Sequence, residues 1–378
     1  MRRGSNRPIG DCDGSPGMQD PGQTKGKAPM KDAPLLNLVL SLILVLVIGY
    51  FLVVGRSILV PIVTAVISVY LMTSATEALK RLPLLHHFPT AILRICVLTV
   101  FALVVYVFAV VVAATVSDIA AVAPVYQANI EALLSRIENR FDVDTRELFS
   151  DAVDVTFGRL DLRSTILTVL GSFTIVGMSI FLVVVYAGFL MAERDGFAAK
   201  IAAAVGDPVQ AARVSRLISV INTRIGEYLT VKTVINLILG AICLVILLLF
   251  GADFALFWAI IIALLNYIPY VGSLLAVVFP VALSLAQTGS LFHTLALGSC
   301  LVTAQVIVGN WLEPRMIGRQ LNLSPFVVLV ALSVWSAIWG IPGAILAVPL
   351  TAMISIVLSA FPATRFISTL LAARVDPH

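Results

Sequence analysis

Charged residues are scarce in this sequence. Asp, Glu, Lys and Arg make up 12% of its 378 residues, and hydrophobic residues make up 60%. Soluble domains carry about 25% charged and about 45–50% apolar residues. A water-soluble globule of this size could not bury so much apolar surface, so the composition excludes a soluble globular domain and indicates a membrane protein.

Cysteine is also rare, and the signatures of catalysis are missing. The four cysteines have no paired spacing, and three of them lie in apolar segments: Cys12, Cys96, Cys243 and Cys300. We interpret them as small core hydrophobes rather than as a disulfide framework. The sequence has no HExxH motif, no paired aspartates inside apolar runs and no GxSxG motif with a matching triad. We therefore expect no enzymatic activity, no catalytic residue, no metal and no cofactor.

Long uncharged runs dominate what is present. A charge at the bilayer centre costs about 2.5–3.5 kcal/mol, and about 20 helical residues cross the hydrocarbon core. Five runs of 23, 20, 23, 29 and 20 uncharged residues each predict one crossing: 33–55, 57–76, 95–117, 164–192 and 233–252. Two longer runs follow, with 59 residues from Phe254 to Leu312 and 45 from Gln320 to Thr364. Both exceed one crossing.

These runs divide the chain into segments of different character. We predict a disordered cytoplasmic tail (1–34), transmembrane helices 1–3 (35–115), an extracytoplasmic helical lobe (116–164), transmembrane helix 4 (165–192), a cytoplasmic amphipathic helix (193–232), a transport core with two helical hairpins (233–361) and a cytoplasmic tail (362–378). With the N-terminus inside, 19 of the 25 Lys and Arg residues face the cytoplasm. The positive-inside rule therefore predicts that both termini are cytoplasmic.

Two of the segments between spans have amphipathic patterns. Apolar residues recur at helical spacing from Ile119 to Phe141, in a segment rich in acidic residues, which predicts a helical lobe outside the membrane. In the other segment one helix face carries Leu217, Ile218, Ile221 and Ile225, and the opposite face carries Arg213, Arg216 and Arg224. Such a helix can lie along the cytoplasmic interface.

Pro and Gly interrupt both of the longest runs. The segment from Asn266 to Gly272 (NYIPYVG) separates two apolar arms that reach only about 20 Å each, short of a core about 30 Å thick. Gly340 to Gly343 (GIPG) interrupts the second run. Pro removes a backbone donor and Gly permits a tight turn, so both breaks expose polar main chain. At membrane depth such main chain must be buried in protein or line a wet cavity.

The predicted topology relates the two interrupted runs by inversion. A hairpin in 233–287 would enter from the outside, and one in 291–361 would enter from the inside. Inverted repeats with broken helices are typical of secondary transporters and place the substrate where the breaks meet. We therefore predict an all-α polytopic membrane protein of about eight transmembrane helices, with two broken, re-entrant helical hairpins in an inverted arrangement in the C-terminal half.

Three stretches of the C-terminal third form a specific combination: LLNYIPYVGSLLAVVFP (Leu264–Pro280), NWLEPRMIGRQLNLSPFVVL (Asn310–Leu329) and WGIPGAILAVPLTA (Trp339–Ala352). Together they resemble the autoinducer-2 exporter (AI-2E) family of bacterial permeases. The resemblance implies a transporter in the bacterial inner membrane that exports autoinducer-2, a small hydroxyl-rich molecule of quorum sensing. It also implies a homo-oligomer, with a pentamer as one option, and no nucleic-acid partner. Some relatives resemble sodium/proton antiporters, so the coupling ion, sodium or proton, stays open.

A site for such a solute needs neutral donors and acceptors beside freed main chain. We predict a substrate pathway lined by Asn266, Ser273, Gln305, Asn310 and Ser324, and hairpin tips at Pro269, Gly272, Gly340, Pro342 and Gly343. For each pathway residue, an interhelical hydrogen bond is the alternative. Glu313 and Arg315 are a candidate cytoplasmic gate, with a local ion pair or interfacial anchor as the alternative. Lys232 lies at the start of the fifth span, where its long side chain can snorkel to the interface. We assign it no role.

Three functions fit these patterns. The leading one is a secondary transporter that exports autoinducer-2 or a related small polar solute by alternating access. The second is a cation/proton antiporter of the same family, which is disfavoured because the two long runs contain no carboxylate. The third is a non-transporting membrane scaffold that acts through its acidic outer lobe.

Overall fold

A computed structural model of the chain describes residues 33–83, 87–141, 178–179, 181–193, 196, 200, 203–204, 206–317 and 321–374. Within these ranges the regular structure is helical, apart from one antiparallel bridge between Leu323 and Ala372. This confirms the all-α prediction for the described residues. The predicted disordered tail up to residue 32, the lobe from 142 to 164 and the start of the fourth span lie outside the described residues.

The described part of the chain is a series of helices. In chain order they are α1 (Ala33–Val54), α2 (Arg56–Lys80), α3 (Thr90–Phe141), α4 (Phe181–Glu193), α5 (Pro208–Leu249), α6 (Ala255–Leu265), α7 (Val271–Thr288), α8 (Leu291–Ile307), a π-helical turn (Val308–Leu312), α9 (Glu313–Ile317), α10 (Pro325–Ala360) and α11 (Arg365–Leu371).

Six helices of the described part are long and apolar enough to cross a membrane: Arg56–Lys80, Thr90–Ile119, Pro208–Leu249, Val271–Thr288, Leu291–Met316 and Pro325–Ala360. Shorter apolar helices cover Leu38–Val54, Phe181–Glu193 and Ala255–Leu265. The chain is therefore a multi-pass membrane protein. The total of eight spans and the re-entrant depth of the hairpins stay predictions.

Helix α5 holds the centre of the fold. Asp207 caps its first turn by accepting a 2.9 Å hydrogen bond from the Val209 amide, and Pro208 fits the first helical position. The helix is 42 residues long, or about 63 Å, roughly twice the thickness of a bilayer core. It therefore contains both the amphipathic stretch and most of the predicted fifth span without a break.

The second half of α5 carries a buried apolar stripe. Ile235, Leu239, Cys243 and Leu247 recur every fourth residue, have 0% exposure and pack against α6, α7 and α8. Gly240 lies where a Cβ would be 3.0 Å from the Ala263 Cβ, so it lets α5 and α6 approach closely. In lipid, this close packing holds helices together, because the surrounding tails are as apolar as the side chains.

Two sharp breaks interrupt the apolar helices at the predicted positions. Between α6 and α7 the chain turns through Tyr270, whose φ is 60°. Inside α10, Gly340 has φ 66° and ψ −142°, a conformation that favours glycine. Each break therefore converts one long apolar run into two helical arms.

The two breaks pack against each other. Ile268, from the first break, forms one apolar cluster with Leu332, Ala344 and Ala347, which flank the second, and Leu265 and Trp335 pack on its edge. Trp335 also donates a 3.1 Å hydrogen bond to the hydroxyl of Thr351 on the returning arm of α10. The interrupted segments thus meet inside the helical assembly.

Beyond its apolar part, α3 continues and contacts the ends of α6 and α7. The Tyr126 hydroxyl donates a 2.7 Å hydrogen bond to Asp253, which lies just before α6. Asn129 donates to the carbonyl oxygens of Ala286 and Gln287, at 3.1 and 2.8 Å. Burial, reinforced by the Asp253 carboxylate, raises the pKa of Tyr126 well above its ordinary value. These bonds hold the arm of α3 against both ends of the first hairpin.

Candidate functional site

Six polar side chains gather where α5 passes the first break. We call them the polar cluster: Lys232, Thr233, Asn236, Asn266, Tyr267 and Glu313. The first three lie within about one turn of α5, on its side toward the break. Asn266 and Tyr267 follow the last residue of α6, and Glu313 follows the π-helical turn.

An amide pair forms the buried part of this cluster. Asn266 Nδ2 donates a 2.7 Å hydrogen bond to Asn236 Oδ1. The two residues are 8% and 2% exposed. Asn236 Nδ2 has no hydrogen-bond partner among the described residues, and leaving a buried donor unpaired costs about 1–3 kcal/mol. The site thus offers a donor for an acceptor oxygen.

A hydroxyl pair lies beside the amides. Thr233 Oγ1 donates to the Leu229 carbonyl at 2.7 Å and lies 2.6 Å from the Tyr267 hydroxyl. Either hydroxyl can be the donor in the shorter contact, and each hydroxyl oxygen has two lone pairs. The Tyr267 oxygen therefore keeps a lone pair whichever group donates. The Asn236 amide lies close to this oxygen but makes no hydrogen bond of good geometry among the described residues.

An ion pair between a buried lysine and a partly buried glutamate completes the cluster. Lys232 Nζ lies 2.6 Å from Glu313 Oε1, and the two side chains are 5% and 27% exposed. The expected snorkelling of Lys232 is wrong, because its ammonium group turns inward to a carboxylate. Removing two charges from water is costly, and only close pairing offsets much of that cost. Ionisable residues within membrane helices are usually functional.

The π-helical turn directs Glu313 toward α5. It covers Val308–Leu312 and contains about one more residue per turn than an α-helix. One inserted residue rotates everything after it by about 100°. Just beyond the turn, the Arg315 guanidinium lies 4.0 Å from the centre of the Trp311 ring. Glu313 and Arg315, predicted together as a gate, thus have different partners.

The predicted pathway residues are distributed over several places. Asn266 is in the polar cluster. Ser273 donates to the Tyr270 carbonyl, and Ser324 caps the start of α10, so both serve local turns. Gln305 is half-buried on α8 with its Nε2 unpaired among the described residues, and Asn310 is exposed on the π-helical turn.

Among the predicted tip residues, two glycines are sterically restricted. A Cβ on Gly272 would lie 1.8 Å from the Leu265 carbonyl oxygen, and one on Gly343 would lie 2.0 Å from that of Trp335. Both glycines are buried. The other predicted tip residues are the half-buried Pro269 and the exposed Gly340 and Pro342.

Sequence reasoning missed four members of the cluster: Lys232, Thr233, Asn236 and Tyr267. A signal was present, because three of them fall within about one helical turn at the start of an apolar run. Polar residues on one face of a membrane helix turn toward the protein interior, since lipid offers them no hydrogen bonds.

A polar cavity of about 470 Å³ lies between α2 and α5. Its lining includes Thr73, Glu77, Asn222, Glu227 and Thr230. Thr230 and Val231 both line the cavity and directly precede Lys232 in α5. The cavity lining therefore ends one residue before the polar cluster along this helix. In the described residues, no group of three or more His, Cys, Asp and Glu side chains is placed to hold a metal ion.

Comparison with known proteins identifies the family. The AI-2E family transporter model matches residues 40–363. A Borreliella burgdorferi protein, named provisionally as a transport protein, is 36% identical over 48% of this chain and 51% of its own length. The AI-2 transport protein TqsA of Escherichia coli (strain K12) is 34% identical over 51% of this chain and 55% of its own.

A further relative extends over more of the chain. A protein of Alkalihalophilus pseudofirmus, also named provisionally as a transport protein, is 25% identical over 82% of this chain and 83% of its own length. The matches to the Borreliella burgdorferi protein and TqsA span only about half the length of those relatives. The family match covers most of the sequence, and the chain belongs to the AI-2E family of transporters.

Proposed function

We propose that this protein exports autoinducer-2 or a related small polar solute across the bacterial inner membrane by alternating access. The observation that carries the proposal is the polar cluster, where a buried asparagine pair adjoins the end of the interrupted helix α6. The name of the relative TqsA, an AI-2 transport protein, supports the choice of solute.

The chemistry of the cluster suits an uncharged, hydroxyl-rich solute. Asn236 offers an amide donor without a partner among the described residues, and Tyr267 keeps an acceptor lone pair. A hydroxyl group donates and accepts at one atom, so it can satisfy both. A bare cation would satisfy only the acceptor and leave the Asn236 donor unpaired.

The two breaks provide the moving parts in this proposal. In this proposal each interrupted segment enters from one leaflet. The packing of Ile268 against Ala344 supports the idea that their tips meet. Under the positive-inside orientation, the cavity beside Glu77 and Glu227 opens to the cytoplasm. The Lys232–Glu313 pair joins α5 to the start of α9 on that side and acts as the inner gate. The functional unit is a homo-oligomer with both termini in the cytoplasm.

The test is solute transport into inverted membrane vesicles, in which export appears as uptake. Asn236→Ala removes the unpaired donor and leaves Asn266 without its acceptor, so we expect the rate to fall about tenfold, as a loss of about 1–2 kcal/mol implies. Gln127→Ala is the control, because Gln127 is an exposed amide on the arm of α3 that bonds only to Glu131 of the same helix in the described residues. Equal rates for the wild type and both variants would count against the polar cluster as the solute site.

Cation/proton antiport is the second candidate, and the Lys232–Glu313 pair is the observation that favours it. Both groups are ionisable and are held within the helical assembly. Addition of sodium to energised vesicles distinguishes the two. An antiporter collapses the proton gradient without added solute, whereas the exporter proposed here leaves the gradient unchanged under that condition.

A further inference from the structure

Three arginines line a cavity at the boundary between α5 and the end of α10. The cavity has a volume of about 300 Å³ and is lined by Arg213, Arg216 and Arg224 of α5, together with apolar residues of both helices. A second cavity of about 490 Å³ also borders Arg213 and Arg216 and includes Val209. Positive charge therefore converges on one part of the surface.

One of the three arginines already has partners within the protein. Arg213 donates to the carbonyl of Ala360, at the C-terminal end of α10, and its guanidinium lies 5.4 Å from the centre of the Phe361 ring. A cation at a helix C-terminus interacts favourably with the carbonyl groups there. Arg213 thus anchors α5 to α10 and keeps most of its N–H donors available.

The other two arginines have no counterion in the described part of the chain. Neither Arg216 nor Arg224 forms a hydrogen bond, ion pair or ring contact there, and the ion pairs found in those ranges involve other residues. The positively charged side chains that line one cavity repel each other, and an anion bound between them offsets that repulsion. Guanidinium groups bind phosphate oxygens in a bidentate manner.

The position of the cavity indicates where such an anion comes from. On α5 the arginines precede the uncharged run that begins at Thr233, and on α10 the cavity lies at the end of the apolar segment. Apolar side chains are exposed beside the arginines, with Val209 at 78% and Phe361 at 45%. Basic and apolar groups side by side are typical of the interface between headgroups and acyl chains.

We propose that Arg213, Arg216 and Arg224 bind the phosphate of an anionic phospholipid headgroup, with its acyl chains along Val209 and Phe361. The lipid bridges the N-terminal part of α5 and the C-terminal end of α10. These helices already pack through Ile225, Leu229, Leu346 and Ala352. The bound headgroup therefore adds a polar link to an existing apolar interface.

The experiment is lipid titration of the delipidated full-length protein, followed by native mass spectrometry. The probe is phosphatidylglycerol, and the readout is the Kd for the first bound lipid. Each basic residue near an anionic lipid contributes about a fivefold gain in affinity. We therefore expect Arg216→Gln and Arg224→Gln to raise the Kd about fivefold each and the double variant about 25-fold.

The controls separate this site from general charge attraction. Lys80→Gln/Arg81→Gln removes the same charge from the end of α2, outside the cavity, and is expected to leave the Kd unchanged. An equal rise of the Kd in this control would overturn the proposal. An unchanged Kd in the arginine variants, or a Kd for phosphatidylcholine as low as that for phosphatidylglycerol, would do so as well. A Kd for inorganic phosphate alone as low as that for phosphatidylglycerol would also overturn it, because the acyl chains would then contribute nothing and the site would be one for free anions. The single variants provide the test if the double variant does not fold.

Discussion

Gly272 and Gly343 stand in the same relation to the helix that precedes each of them. A Cβ at either position would fall within 1.8 or 2.0 Å of a main-chain carbonyl oxygen, of Leu265 or Trp335 respectively. The returning arm at each break thus lies directly against the end of the entering arm. Two segments far apart in the chain share this construction, which supports the prediction of a structural repeat.

The first prediction concerns these two glycines. Gly272→Ala and Gly343→Ala should each lower the free energy of unfolding by about 3 kcal/mol or more, because main chain cannot move aside as a flexible side chain can. Thermal unfolding of the purified protein in detergent measures this. Gly49→Ala is the control, since no atom lies within 4 Å of its added Cβ. Alanine variants at both tips as stable as the control would contradict the close approach.

The second prediction concerns the Lys232–Glu313 pair. Glu313→Gln leaves the buried Lys232 without its partner and should lower the free energy of unfolding by about 3–5 kcal/mol. Lys232→Met leaves the partly exposed Glu313 unpaired and should lower it by less. The double variant removes both charges and should recover most of this loss. Denaturant unfolding of all three forms gives the coupling energy. A double variant less stable than either single variant would show that the pair does not interact as described.

A surface ion pair provides the matched comparison for that cycle. Lys200 lies 3.3 Å from Glu193, and the two side chains are 65% and 63% exposed. Exposed pairs contribute about 0–1 kcal/mol, so Lys200→Met should change stability little. If the coupling energy of Lys200 and Glu193 equals that of Lys232 and Glu313, burial does not determine how much an ion pair stabilises this protein.

The third prediction concerns Tyr126 and alkaline pH. Its pKa in the folded protein is raised by burial and by Asp253 above the ordinary value of about 10. The folded state therefore holds this proton more tightly than the unfolded state, so the contribution to stability is present below pH about 10 and is lost as the pH rises further. Unfolding from pH 8 to 11 should show a steeper alkaline loss for the wild type than for Tyr126→Phe. Parallel curves would contradict this.

The fourth prediction concerns the prolines of the two breaks. Pro269→Ala/Pro342→Ala restores two backbone donors and lets helix extend into the turns, so solute transport in inverted vesicles should slow markedly while the protein stays folded. Pro280→Ala/Pro349→Ala is the control, because those prolines lie inside α7 and α10, away from the tips. No change in transport on replacing Pro269 and Pro342 would count strongly against hairpin gating.

The positions of the breaks could be predicted from sequence because their causes are local. Pro and Gly within NYIPYVG and GIPG determine where an apolar helix stops, and the chain turns there. Asn266 could be predicted as a site residue because it lies within the first of these motifs. Asn236 could not be predicted as its partner, because that contact depends on how α5 packs against α6.

Lys232 shows why the rest of the site could not be predicted. A lysine at the start of an apolar run can snorkel to the interface or turn inward to a carboxylate. The sequence distance to Glu313 gives no preference between these, and the π-helical turn that orients Glu313 has no clear sequence signature. Only the packing of α5 against the start of α9 decides the outcome.

The most direct test of the account is the accessibility of the two breaks. In a form without native cysteines, Ser273→Cys and Ile341→Cys report on the first and second break, and a membrane-impermeant maleimide is applied from either side of the vesicle. The account predicts that the two positions react from opposite sides, and that solute slows the reaction. Free and equal labelling of both positions from the same side would contradict it.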